Sequence, residues 1–148
     1  HARRCPAVVF LMEAPVGRES TGNPFHDQKV FMEACGQTTR GMNADQAKLY
    51  AKLINEEINE MVEAALKGDT LGTFDGLLDS IVVLIGYAHS MGWDIEGGWK
   101  EVMHTNFAKV DWTTGMVRRR EDGKILKPEG WKPPDLSKFI PQMAAAND

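Results

Sequence analysis

Between residues 43 and 67 apolar side chains return every three or four positions, and Tyr50, Leu53, Ile54, Met61, Ala64 and Ala65 fall on one arc of a 3.6-residue repeat. That spacing predicts a long helix, opened by Asn43 or Asp45 and closed before Gly68. Residues 70–90 are nearly continuously apolar from Ile81 to Ala88 and stop at Gly92, which predicts a helix with little polar face. A shorter helix is expected over 25–35, closed by Gly36, and a fourth from Asp94 to about Val110. After Trp112 the period disappears. Thr114-Gly115, Asp122-Gly123 and Pro133-Pro134 are turn pairs, and Met116-Val117-Arg118 and Lys124-Ile125-Leu126 flank Asp122-Gly123 as the arms of a small hairpin would. The expected architecture is therefore all-α, a four-helix bundle over 25–140 with a short C-terminal hairpin. An aperiodic, turn-rich extension (1–24) precedes it and a tail (141–148) follows.

Composition narrows the classes. A chain of 148 residues with 43% apolar and 26% charged positions has the length of one domain and enough apolar surface for a core. Lys+Arg 17 against Asp+Glu 21 gives a net charge of −4, and Arg118-Arg119-Arg120 is the only basic run, so duplex nucleic acid is not an expected partner. Cys5 and Cys35 lack zinc-ligand spacing and could form at most one bridge, the usage of a reduced cytosolic protein. The apolar run from Ala7 to Met12 follows Arg3-Arg4 but stops at Glu13, short of an export signal or a membrane span. A cytoplasmic location without membrane association is expected.

The chemistry concentrates in Glu56, Glu57, Glu60 and Glu63 of the long helix. At about 100° per residue, Glu57 lies within the apolar arc, Glu60 at its edge, and Glu56 and Glu63 toward the polar side. An ionised carboxylate in an apolar face demands a partner. The next helix presents Asp75 and Asp79 one turn apart and contains no Lys or Arg. Acids turned inward from two helices repel one another unless a cation or protons compensate, and hard oxygen ligands without sulfur suit Mg²⁺, or Mn²⁺. Two rivals are an ion pair with Lys or Arg from elsewhere and a di-iron bundle. The latter needs Glu-x-x-His on each of two helices, and the motif is not expected at His89 or His104.

In their order, Leu53-Ile54-x-Glu56-Glu57-x-x-Glu60, Asp75-Gly76-x-x-Asp79 and Asn106-x-x-Lys109 resemble the all-α nucleoside triphosphate pyrophosphohydrolases. So do Glu121-Asp122-Gly123-Lys124-x-x-Lys127 and Pro133-Pro134-Asp135. That group contains MazG, phosphoribosyl-ATP pyrophosphohydrolase and the dimeric dUTPases, and many of its MazG-like members come from phages, for which the location would be the host cytoplasm. The resemblance implies that Glu57, Glu60 and Asp79 hold Mg²⁺, with Asn106 and Lys109 facing the nucleotide. Lys124 and Lys127 could reach phosphates from the tail. The group commonly has Glu three residues before the final Asp, where this chain has Gly76. Asp75 is the substitute ligand expected, with Glu56 or a water as the other options.

The activity so implied is hydrolysis between the α- and β-phosphates of a nucleoside triphosphate, with dGTP or dATP favoured. Glu60 or Glu56 would be the base that activates water. Phosphoribosyl-ATP is the alternative substrate, and a non-catalytic helical oligomerisation module the alternative role. A Walker phosphate loop is absent from the sequence. The apolar third helix predicts a homo-oligomer, and the group's habit is a dimer or tetramer. Phe74, Tyr87, Trp93, Trp99, Phe107 and Trp112 are expected mostly in the core, with one available to stack on a base.

Overall fold

The computed structural model describes residues 18–146. Cys5 and most of the predicted N-terminal extension lie outside them. Helix α1 (Pro24–Ala34) opens on Asn23, whose side chain accepts from the Phe25 and His26 amides at 3.0 and 3.2 Å. Pro24 occupies the first turn, where a missing N–H leaves no bond unmade. Before the helix, Ser20 Oγ and Thr21 Oγ1 donate to Asp27 at 2.5 and 2.6 Å, and these bonds hold its carboxyl down at about 2. Helix α2 (Ala44–Leu66) is capped by Asn43, α3 (Thr70–Ser90) by Asp69 and α4 (Ile95–Phe107) by Asp94; each cap accepts from the amide three residues on.

Helix α4 ends at Phe107, three residues earlier than its pattern predicts. The reason is Asp111, whose side chain accepts from the amide and hydroxyl of Thr113 and whose carbonyl accepts from the Thr114 and Gly115 amides. That turn folds β1 (Val110–Asp111) back against β2 (Met116–Val117), antiparallel, with Val110 opposite Val117 and Asp111 opposite Met116. The hairpin therefore forms one turn earlier than expected. Across Asp122-Gly123 the chain makes a single bridge, Arg119 to Ile125. The remainder runs back along α4 as a strap, through a 3₁₀ turn (Ser137–Phe139) to a short helix, α5 (Pro141–Ala146), which occupies most of the expected C-terminal tail.

The main packing is α2 against α3; α1 lies across α3, and α4 touches α3 only lightly. Met32, Tyr50 and Val83 form the buried cluster, with Leu53, Ile54 and Tyr87 against it. The α2–α3 hairpin is tight. A Cβ at Gly76 would stand 2.9 Å from the Cα and Cβ of Met61, and Gly86 lies under the Tyr50 ring. His89 joins α1 to α3 by a 2.8 Å bond between its Nε2 and the Phe25 carbonyl, and burial pushes its pKa down. Seen from the other side α3 is bare: Leu77, Leu78, Ile81, Val82 and Leu84 are each 39–47% exposed. By length and composition α3 could cross a membrane, but its packing on α2 and its carboxylates Asp75 and Asp79 make it the central helix of this bundle.

Candidate active site

Glu57 is half-buried on α2, and its Oε2 is buried with no hydrogen-bond partner. Burial raises its pKa, and Glu60, Asp79, Asp75 and Glu56 push it the same way. The arc argument thus places Glu57 correctly, and the two helices do bring the five acids into one electrostatic neighbourhood. Glu56, Glu60, Asp75 and Asp79 are exposed. The ion pairs among the described residues are Arg118–Asp111, Arg120–Asp122 and Lys138–Glu101, so no base from elsewhere in the described chain answers these acids.

The residues suit a hard divalent cation in donor chemistry, and the partnerless Glu57 oxygen is what such an ion would satisfy. Their side chains are spread too widely to chelate as they stand: among the described residues no three acids or imidazoles share metal-holding geometry. Gly76 explains why the group's usual fourth carboxylate has no place here. Any side chain at 76 would meet the Met61 backbone, so a ligand from this turn of α3 has to come from Asp75 or Asp79. The expectation for His104 needs correcting, because Glu101 stands three residues before it; the chain still has this one Glu-x-x-His where a di-iron bundle needs two, and Glu101 accepts from the Asp135 amide at 3.2 Å and lies 3.7 Å from Lys138.

The expected phosphate-facing residues sit elsewhere, at the end of α4. Lys109 Nζ donates to Asn106 Oδ1 at 3.3 Å, as their three-residue spacing predicts, and also lies 5.2 Å from the centre of the Trp131 ring. Lys127 approaches the same ring at 4.6 Å. Lys109 and Lys127 line one cleft of about 420 Å³; Lys124 stays outside it, beside the Asp122-Gly123 turn. No acid of the α2–α3 cluster lines this cleft, and α2 and α4 share no substantial packing, so the single chain does not unite the two halves of the predicted site.

Trp131 is absent from the sequence-derived candidates. The available signal was an indole embedded in the turn-forming stretch Pro128-Glu129-Gly130, where nothing periodic requires an aromatic. The other aromatics are less buried than expected. Phe74, Trp99, Phe107 and Trp112 are 50–68% exposed. Trp99 tilts against Phe25, Phe107 meets Trp112 edge-on, and only Tyr87 and Trp93 pair near the core.

A helical hairpin with carboxylates on both helices, in a mostly helical chain, defines an all-α, MazG-like nucleotide pyrophosphohydrolase. The chain belongs to the phosphoribosyl-ATP pyrophosphohydrolase family, whose model matches residues 27–106, the stretch from α1 to the end of α4. No individual curated protein matches it. Enzymes of this kind generally depend on a divalent metal.

Proposed function

We propose that the protein hydrolyses a nucleoside triphosphate between its α- and β-phosphates, releasing a nucleoside monophosphate and pyrophosphate. The reading rests on the buried, partnerless oxygen of Glu57, set among four further acids with no Lys or Arg paired to them among the described residues. Glu57, Glu60, Asp79 and Asp75 would hold Mg²⁺ or Mn²⁺. Such an ion neutralises charge developing on phosphate oxygens and lowers the pKa of bound water. Exposed Glu60 or Glu56 would take the proton of the attacking water, and water's oxygen would become the new oxygen on the α-phosphorus. Asn106 would hold the nucleotide by an amide from the last turn of α4 and Lys109 by a cation from the turn that follows it, with Lys127 and Lys124 reaching phosphates from the strap.

The preferred substrate in this reading is a deoxypurine triphosphate, dGTP or dATP. Phosphoribosyl-ATP is the second reading, supported by the name of the matched family. The bare apolar stripe of α3 supports action as a homo-oligomer, a dimer or tetramer, which would also give the acids of one protomer a route to the Lys109 cleft of another. The deciding experiment is a substrate panel with product identification. Pyrophosphate release only with Mg²⁺ or Mn²⁺ is expected, and direct competition between dATP and phosphoribosyl-ATP separates the two substrates. Orthophosphate as the first product would overturn the reaction. No turnover on any nucleotide, with Glu57→Gln lowering oligomer stability, would favour a helical interaction module.

A further inference from the structure

The two long helices keep one register along their seam. A Cβ at Gly76 would meet Met61, the Tyr50 ring lies over Gly86, and Gln46 Nε2 donates to Ser90 Oγ at 2.8 Å, so the contacts climb α3 as they descend α2. One turn after Gly76 on α3 comes Ser80, and one turn before Met61 on α2 comes Glu57. The register therefore sets Ser80 at the height of Glu57. Ser80 is buried, and its Oγ donates to the Gly76 carbonyl at 2.7 Å. That bond is dispensable. Inside α3 the Gly76 carbonyl already accepts from the Ser80 amide, so the hydroxyl is a second donor to an oxygen that has one, and rotation about a single side-chain bond frees it. The other buried hydroxyls of the seam are engaged toward the start of α2, Tyr50 Oη with Gln37 and Ser90 Oγ with Gln46. Glu57 Oε2 is the reverse case, a buried acceptor without a donor among the described residues.

We infer that Ser80 is the positioning residue of Glu57: with a divalent ion on the acids, its hydroxyl leaves the Gly76 carbonyl and donates to the Glu57 carboxylate, fixing the orientation in which that group meets the ion. The inference rests on the reading of the acids as a metal site and deepens it, because it gives a role to a neutral side chain buried behind them. A carboxylate has more lone pairs than one ion takes, and carboxylates that ligate metals are in turn held by hydrogen-bond donors. A hydroxyl suits this place. It supplies a proton without a charge, whereas Lys or Arg here would neutralise the acids and compete with the ion.

The test is Mn²⁺ binding to the full chain without nucleotide, followed by the paramagnetic resonance of the free ion. Ser80→Ala keeps the shape of the seam and favours the helix, so its helix content and its melting in chelator are expected to match the parent. Its Mn²⁺ affinity is expected to fall about tenfold, as loss of a partner that orients a ligand does. Ser80→Thr returns a hydroxyl and is expected to recover most of that affinity. Ser90→Ala is the control. It removes a hydroxyl bonded in the same way, to the Gly86 carbonyl at 2.7 Å, and is expected to lower the melting temperature while leaving Mn²⁺ affinity unchanged. Parent affinity in Ser80→Ala overturns the inference and leaves the metal site standing. An equal loss in Ser90→Ala overturns it as well, since packing of the seam would then set the affinity, and so does a folded Ser80→Thr as weak as Ser80→Ala. A parent that binds no Mn²⁺ overturns the reading of the acids, and the role of Ser80 falls with it.

Discussion

Glu57 carries its carboxylate to a position where one oxygen is buried and meets neither a base nor a hydrogen-bond donor among the described residues. Its pKa is therefore raised above the ordinary 4.5, by burial first and by Glu60, Asp79, Asp75 and Glu56 after it. The sign follows. The folded chain holds this proton more tightly than the unfolded one, so the stability it contributes is complete below about pH 4.5 and is lost as pH rises through the raised value. In chelator, Glu57→Gln should melt higher than the parent at pH 7, and the difference should vanish toward pH 4. If the acids hold a metal, the same variant should lose turnover by about 100-fold or more while remaining folded. A melting scan with and without Mg²⁺ separates these effects, since only the parent should gain from the ion.

At the scale of elements, packing between α2 and α3 leaves no room at Gly76. Gly76→Ala should cost about 1–3 kcal/mol, as overpacking does, measured by urea denaturation, despite alanine's better helix propensity. The α1–α3 seam responds to pH in the opposite sense from Glu57. His89 is buried with its pKa below the ordinary 6.5, mainly through burial, so the stability it contributes is present above about pH 6.5 and lost as pH falls through the lowered value. His89→Ala should cost about 1–3 kcal/mol by leaving the Phe25 carbonyl without its partner, and should flatten that acid limb. The helices were legible because their signals are local. Asn43, Asp69 and Asp94 each cap within three residues, and Gly36, Gly68 and Gly92 mark the ends. The end of α4 was not, because Asp111 makes a turn that competes with the helix, and Trp131 reaches Thr105 across 26 residues. Helical spacing could place Glu57 inward but could not reveal a cleft built from a strap with no period.

For the whole molecule the outward stripe of α3 is where the proposed joining of copies is put to the test. Leu77, Leu78, Ile81, Val82 and Leu84 leave apolar side chains partly exposed along one central helix, the kind of surface through which proteins join one another. Replacing Leu78 and Val82 by Glu should shift the protein toward monomer in analytical ultracentrifugation and lower catalytic turnover with it. An unchanged mass would show that this face is not the one that joins copies. The sequence indicated that α3 was too apolar to be solvated, but which of its faces stays bare depends on where α1 and α2 settle.

Only Lys67, Gly68 and Asp69 separate α2 from α3, so closing this loop takes little chain entropy and the pair can zip together before distant segments arrive. The acids are thus assembled by a helical hairpin closed over three residues, whereas the strap must first find its way back to α4. Under native conditions the inner amides of α2 and α3 should be the last to exchange with deuterium, and those of residues 110–126 among the first.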